Sequence, residues 1–593
     1  MGAQVVSLRL SPLFRKVPRH LIQQDAAMRA CKPSRIAQVI ALSLAAMAIP
    51  AHAAKVTVLT AGQIHTMDTA HPRAQAMAYD DSGAILALGD SASLLAKYPK
   101  AARIDVGTAT VVPGLIDAHG HVAGLGLAKL RANVVDTRSK AEVLQRLREF
   151  ARGLPPDTWL LGRGWDQNDW PDKQFPTAAD LDAVFPDRPV WLRRVDGHAA
   201  WGNTAAMRVV KRDLEGDWQP DGGQILRDTQ GVPTGVFVDA AMDLIEAAMP
   251  AMDEATAERA LVLGMQSAVE HGLTGVHDAG VSLSQLHAYQ RLADRRAMPL
   301  RVYAMADGDG AALDALCKGG LYRHAGGRLE MRALKLYADG ALGSRGAAML
   351  EPYSDDHANR GLLLMKPEEL ARVTARAREC GVQVATHAIG DRGNREVVEA
   401  YAQALGKAHP AEYRWRIEHA QVLSPEDLPR LAPLGIIASM QPTHATSDMP
   451  WAEDRVGPQR IVGAYAWRQL RDTGTRLALG SDFPVESVDP RLGLYAATTR
   501  SDAEGTPLGG WHPEEKLTAY EALRGFTLDA AYAGFAESRV GSLVPGKRAD
   551  FVVLAQDPLA IPPAQLRTLD VQATYVDGRP VYRAGGGVGA SPR

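Results

Sequence analysis

The sequence predicts an α/β fold: a (β/α)8 barrel with a small β-sandwich domain built from both chain ends and an insertion after the first barrel strand. Eight short apolar runs, each closing on polar residues, recur along the middle of the chain. Helical stretches such as "PEELARVTARAREC" alternate with them, the pattern of βα units and a parallel sheet. The two ends share another texture, of short strands and tight turns.

In chain order, the first element is a leader. "MRACKPSRIAQVIALSLAAMAIPAHA" has a basic head at Arg29, Lys32 and Arg35, an apolar run from Val39 to Ile49, and an Ala51-His52-Ala53 end. Those are the three parts of a secretory signal peptide. The run is shorter than the ~20 residues of a membrane helix; a buried helix is the alternative. The expectation is that 1–53 is removed, that translation naturally starts at Met28, and that a soluble chain beginning near Ala54 is exported to the periplasm. From Lys55 to Ala109, "KVTVLT" alternates and "AMAYDDSGAILALGD" reads as a hairpin. The far end repeats this in "ADFVVLAQDP" and "VQATYVDGRPVYRAG", with an Asp577-Gly578 turn. Residues 54–109 and 540–593 are therefore expected to form one β domain, and 110–539 the barrel.

The candidate barrel strands are Thr110–Ala118, Thr274–Asp278, Arg301–Ala306, Met331–Tyr337, Val382–His387, Arg414–His419, Ile436–Gln441 and Arg476–Asp482. The gap between the first two is too long for one helix, so an inserted subdomain is expected at about 123–260. Composition narrows the partners. Of 593 residues 46% are hydrophobic and 23% charged, with a net charge of −2. That balance argues against nucleic acid or anionic membrane, which need a basic surface. Once Cys31 leaves with the leader, Cys317 and Cys380 remain and are read as buried, inert thiols. Two cysteines also exclude a thiolate metal site.

Barrel active sites lie at the C-terminal ends of the strands. The residues there form a set: His119 and His121 on the first strand, Lys335 on the fourth, His387 on the fifth, His419 on the sixth and Asp482 on the eighth. Alternate strand residues share a side, so His119 and His121 can aim at one point. Imidazole and carboxylate suit a borderline divalent ion such as Zn²⁺. Singly, each residue has a plainer reading: a hydrogen-bonded histidine, an ion-paired Lys335, or a capping Asp482. It is their coincidence on one rim that points to a metal centre.

This order resembles the amidohydrolase superfamily, and more narrowly amidohydrolase family 3, the branch of the YtcJ-like proteins and N-substituted formamide deformylase. The resemblance runs over nearly the whole mature chain. It is carried by "GLIDAHGHV", "GRGWDQNDWP", "RVDGHAAWGN", "LKLYADGALGSR", "THAIGDRGN", "RIEHAQVLSPED", "SMQPTHA", "GSDFPVE" and "GSLVPGKRADFVVL". It implies a (β/α)8 TIM-barrel metallohydrolase in which His119, His121 and Asp482 hold one metal and His387 and His419 a second. Lys335, carboxylated by CO₂, would bridge the two.

Metal-activated water would attack a carbonyl, with Asp482 taking the proton and returning it to the leaving amine. A second metal, His198 or His444 would stabilise the oxyanion. The reaction class is hydrolysis of an amide-like, non-peptide C–N bond in a small molecule. Trp165, Trp170, His198 and Trp201 in the insertion are placed to roof the site, although tryptophan is more often simple core, and Asp166 beside Trp165 is a further candidate substrate contact. Arg345 would grip a substrate carboxylate or pair with a nearby acid, and Gln441 and His444 complete the candidate substrate contacts. Rival readings are an ester or lactone hydrolase on the same site and a catalytically idle periplasmic binding or regulatory protein. A homodimer stays open.

Overall fold

In the computed structural model, residues 55–155, 158–406, 410–585 and 587–588 are described. The leader expected at 1–53 lies outside them. Eight parallel strands pair in sequence: β1 (Leu115–Gly120), β2 (Leu273–Val281), β3 (Arg301–Asp307), β4 (Leu329–Tyr337), β5 (Gln383–Ala388), β6 (Arg416–His419), β7 (Ile437–Met440) and β8 (Arg476–Leu479). The ring is drawn together just past β8. There Asp482 N–H donates to the His119 carbonyl and His121 N–H to that of Phe483, each at 2.7 Å. Gly480 permits the approach, since a Cβ on it would lie 2.5 Å from Asp117 Oδ1 and 2.6 Å from His119 N. Asp117 adds a second tie by accepting from Ser481 Oγ at 2.6 Å.

The expected first strand, Thr110–Ala118, is divided. Thr110–Pro113 pairs with Phe551–Leu554 in the sheet of the chain ends, and only the part from Leu115 enters the barrel. Both halves are wholly buried, so hydrophobicity does not mark the break. It falls at Pro113-Gly114, where Pro113 has no N–H to donate and Gly114 N–H turns to Asp550 O at 2.9 Å.

Strands from both chain ends form one continuous nine-stranded sheet. Alternation sorts its faces: Leu59, Met77 and Tyr79 pack with Phe551 and Tyr575, whereas Val58, Ala76 and Ala78 pack on Leu94 of a short helix. Arg301 of β3 joins the sheet to the barrel, donating to Asp550 at 2.7 and 2.9 Å and to Asp577 at 2.6 Å. Between β1 and β2 lies a separate six-stranded sheet running from Ala132 to Asp239. Its own apolar core includes Trp165, Trp170, Trp201, Val190 and Leu192. The helix Glu254–Glu270 then returns the chain to the barrel.

Cys317 and Cys380 correct the reading of separate buried thiols. They are half-buried and joined by a disulfide with Cα atoms 5.0 Å apart. Their 63-residue separation conceals that the helices Ala311–Gly319 and Pro367–Glu379 lie side by side, as the bonds from Arg376 to Asp309 and Asp314 also show. Among the described residues no helix is long and apolar enough to cross a membrane.

Candidate active site

At the C-terminal rim, the ligand atoms of His119, His121 and Asp482 lie within 4.8 Å of one another. His121 Nε2 stands 3.0 Å and His119 Nε2 3.5 Å from Asp482 Oδ1. Asp482 has a left-handed backbone, φ 60°, and so does His419, φ 71°. For non-glycine residues this is strained, costing on the order of 1–3 kcal/mol each, and such strain concentrates at functional sites. Burial opposes the charge of Asp482, but His119, His121 and His444 hold its carboxyl well below the usual range.

The second nitrogen of His119 and that of His121 are spoken for. His121 Nδ1 donates to Ala279 O at 3.0 Å. His119 Nδ1 donates to Glu418 Oε2, which leaves Nε2 with a lone pair facing the rim. Glu418 is fully buried and accepts from Arg416 Nε at 2.7 Å and Nη2 at 2.9 Å. Burial would raise its pKa, yet Arg416 and His119 keep it well below the ordinary carboxylate value. This is the outer support that fixes the tautomer and orientation of metal-binding histidines.

The donor set fits a divalent cation. Asp482 Oδ1 and His419 Nδ1 are both buried without a hydrogen-bond partner, an arrangement that costs free energy unless something satisfies them. Bound cations would satisfy them. Around Asp482 a second set forms from His419, His444 and Asp482. His387 sits with its ring 4.5 Å from that of His419, its Nε2 donating to Gly340 O at 3.3 Å. Lys335 is buried, with Nζ 3.1 Å from His119 Nε2. Burial pulls its amine down to about 8, against the opposing charges of Glu418 and Asp482.

His444 and His198 flank the set. His444 Nε2 lies 3.4 Å from Asp482 Oδ2 and its Nδ1 3.1 Å from Glu486. Burial would lower His444, but these two carboxylates raise it to about 10. His198 comes from the inserted sheet. Its Nδ1 bonds Asp239 at 2.7 Å and its ring lies 5.0 Å from that of His387. It lines a cavity of about 930 Å³ together with His119, His121, Lys335, His387, His419 and Asp482.

Four expected substrate contacts are elsewhere. Trp165 is 0% exposed, packed against Trp170 and Trp201, with its N–H donating to Leu192 O at 2.7 Å. It is core of the insertion and not a roof. Asp166 pairs with the buried Arg194. Arg345 pairs with Asp355 at 2.9 Å, taking the plainer of its two readings. Gln441 turns its amide to Ser439 O at 3.1 Å. None of the four lines the cavity. The residues missed are Glu418 and Arg416, and the cavity-lining Asp239, Arg131, Arg163, Arg193 and Tyr337. "RIEH" carried a signal for the first two: charges two residues apart in a strand otherwise buried on both faces point into the barrel.

A parallel barrel that gathers His-x-His from its first strand and aspartate from its eighth defines a class, the metal-dependent hydrolases. Residues 103–582 match the model of the amidohydrolase family, and the chain belongs to that family. It is 36% identical over 531 residues to YtcJ of Bacillus subtilis (strain 168), covering 88% of this chain and 98% of that one. To N-substituted formamide deformylase of Arthrobacter pascens it is 30% identical over 539 residues, covering 87% and 96%. Among solved structures it resembles an uncharacterized metal-dependent hydrolase from Pyrococcus horikoshii. The TM-score is 0.70 at 26% identity, over 86% of this chain and 99% of the other. The expected barrel and the expected hydrolysis of C–N bonds both stand on these likenesses.

Proposed function

We propose that this amidohydrolase cleaves an amide-like, non-peptide C–N bond in a small molecule, with Asp482 moving the proton. One observation carries the reading: two imidazole nitrogens and Asp482 Oδ1, a buried oxygen without a hydrogen-bond partner, converge at the barrel mouth. His119, His121 and Asp482 would hold one divalent ion, zinc by ligand type. His387, His419 and a carboxylated Lys335 would hold a second, the lowered pKa of Lys335 favouring the neutral amine that a carbamate requires. When bound, such an ion acidifies water and polarises a carbonyl.

The chain's own groups do the rest. Asp482 presents Oδ2 beside His444 and takes the proton released as water adds to the carbonyl carbon. When the C–N bond breaks it returns that proton to the leaving nitrogen. Asp239 fixes His198 through Nδ1 and, against the effect of burial, raises its pKa, so that the protonated ring has an Nε2–H to offer the carbonyl oxygen.

The same site would attack an ester or lactone, and the idle-protein reading conflicts with the complete ligand set. The half-buried disulfide supports the exported, periplasmic reading, because such bonds persist in oxidising compartments. The test is turnover by zinc-loaded protein of matched N-formyl, N-acetyl and ester substrates. Release of amine from the first two supports the proposal. Hydrolysis of esters alone would replace it with the rival.

A further inference from the structure

Two motifs of the insertion, "GRGWDQNDWP" and "RVDGHAAWGN", bring His198 to the cavity, yet most of their polar residues take no part in the reaction. Their strands, Leu160–Trp165 and Val190–Arg194, are parallel neighbours in the inserted sheet. Past the second strand the chain turns through Asp196 and Gly197 to His198. Gly197 N–H donates to Arg194 O and His198 N–H to Asp196 Oδ1, each at 3.0 Å. The buried Arg194 braces the same turn, donating from Nε to Gln167 Oε1 at 2.8 Å and pairing with Asp166 and Asp196.

These bonds set the shape of the His198 turn, but all of them lie within the insertion. They do not set its place against the barrel, which carries Asp482. Arg163 does. Its guanidinium donates through Nη2 to Val195 O, three residues before His198, and through Nη1 to Pro484 O, two residues after Asp482. Among the described residues no other donor reaches either carbonyl. The turn past β8 is a firm anchor, since Asp482 N–H bonds the His119 carbonyl and Val485 N–H closes on Asp482 O at 2.9 Å. Burial lowers the pKa of Arg163, while the charges of Asp482 and then Asp196 oppose it, so its charge is met within the protein. A guanidinium suits the task, because its planar fork presents several N–H donors in fixed directions.

We propose that Arg163 is a positioning residue, a strut that holds the His198 turn of the insertion in place against the Asp482 turn of the barrel. Without it both groups keep their chemistry but lose their alignment, and a misplacement of about 1 Å can cost ~10²-fold in rate. This inference rests on the hydrolase reading, in which His198 meets the carbonyl oxygen and Asp482 moves the proton.

The experiment compares Arg163→Met and Arg163→Lys with the unaltered protein, zinc content and Tm confirming that each folds. With N-formylphenethylamine as substrate, Arg163→Met lowers kcat at least about tenfold and leaves KM within about twofold. Arg163→Lys, whose ammonium reaches one carbonyl at a time, recovers part of the loss. In a His198→Ala background Arg163→Met costs less than about threefold, since the group it positions is gone. Hydrogen exchange on zinc-loaded protein needs no turnover: the amides of 195–199 exchange at least about fivefold faster in Arg163→Met, while the paired strands of the inserted sheet are unchanged. Normal kcat in Arg163→Met, a loss confined to KM, or full additivity with His198→Ala overturns the proposal and leaves the hydrolase reading intact. Exchange that is unchanged at 195–199, or equally faster through the whole inserted sheet, overturns it as well. Failure to cleave the substrate, or normal kcat in His198→Ala, counts against the hydrolase reading or the role it gives His198. The exchange comparison then decides the strut by itself.

Discussion

Glu418→Gln removes one negative charge from the centre of the barrel and leaves side-chain size almost unchanged. The carboxylate receives three charge-assisted or imidazole N–H bonds, two from Arg416 and one from His119. Glutamine supplies one acceptor oxygen, so its amide N–H₂ must face a donor, either Arg416 or His119. The first consequence is for stability, because Arg416 stays buried without its counter-charge; breaking one side of a buried pair costs about 3–5 kcal/mol. The second is for the metal. Loss of an outer carboxylate from a ligating histidine lowers affinity by roughly 10–100-fold, or about 1.4–2.8 kcal/mol. Zinc affinity measured by chelator competition, with Tm of the metal-stripped protein alongside, separates the two. The expectation is a lower Tm and zinc binding weakened at least tenfold, with Glu418→Asp intermediate in both. A variant that melts lower yet binds zinc as tightly as the unaltered protein would refute the assignment of Glu418 to the metal centre and leave it a folding residue.

Asp482→Asn keeps one oxygen but cannot carry the proton, so kcat falls at least about a hundredfold while KM and most of the metal are retained; near-normal kcat would move the base to His198 or His444. Arg301 and Arg328, opposing the effect of burial, hold Asp577 at about 2. Because that is below its unfolded value of roughly 3.9, its stabilisation is full above about pH 5 and fades as pH falls through 4 towards 2. Asp577→Asn should therefore flatten the acid limb of a Tm–pH curve taken on metal-stripped protein, and an unchanged limb counts against the linkage. Intact mass of the exported form should match a chain starting near Ala54, whereas a cytoplasmic product still carrying residues before Val39 would contradict export.

The barrel was legible because its strands are compact apolar runs, five of which carry a chemically distinctive residue at or near their C-terminal ends. His119, His121, Lys335, His387, His419 and Asp482 could be ordered from sequence since position at a strand end fixes where a side chain goes. Residues whose role depends on long-range juxtaposition were not legible. Glu418 stands beside a more conspicuous histidine, and only its bond to His119, 299 positions away, shows its purpose. For Trp165 an aromatic run after the first strand left lid and core both open, core being the commoner, and packing chose the core. Arg345, close in sequence to Lys335, suited a substrate anchor or a plain ion pair equally, and Asp355 decides for the pair. The guanidiniums that do line the cavity come from the insertion and the segment entering it, whose sheet order no local pattern announced.

The central claim is that His119, His121 and Asp482 bind a divalent ion on which C–N hydrolysis depends. Elemental analysis coupled to amine release, on protein stripped with chelator and then reloaded with zinc, tests it most directly. The account predicts no turnover when stripped, recovery on uptake of one or two ions per chain, and neither full uptake nor recovery in the His119→Ala/His121→Ala double variant. Turnover that persists after stripping, or a double variant that takes up zinc and works as the unaltered protein does, would contradict it.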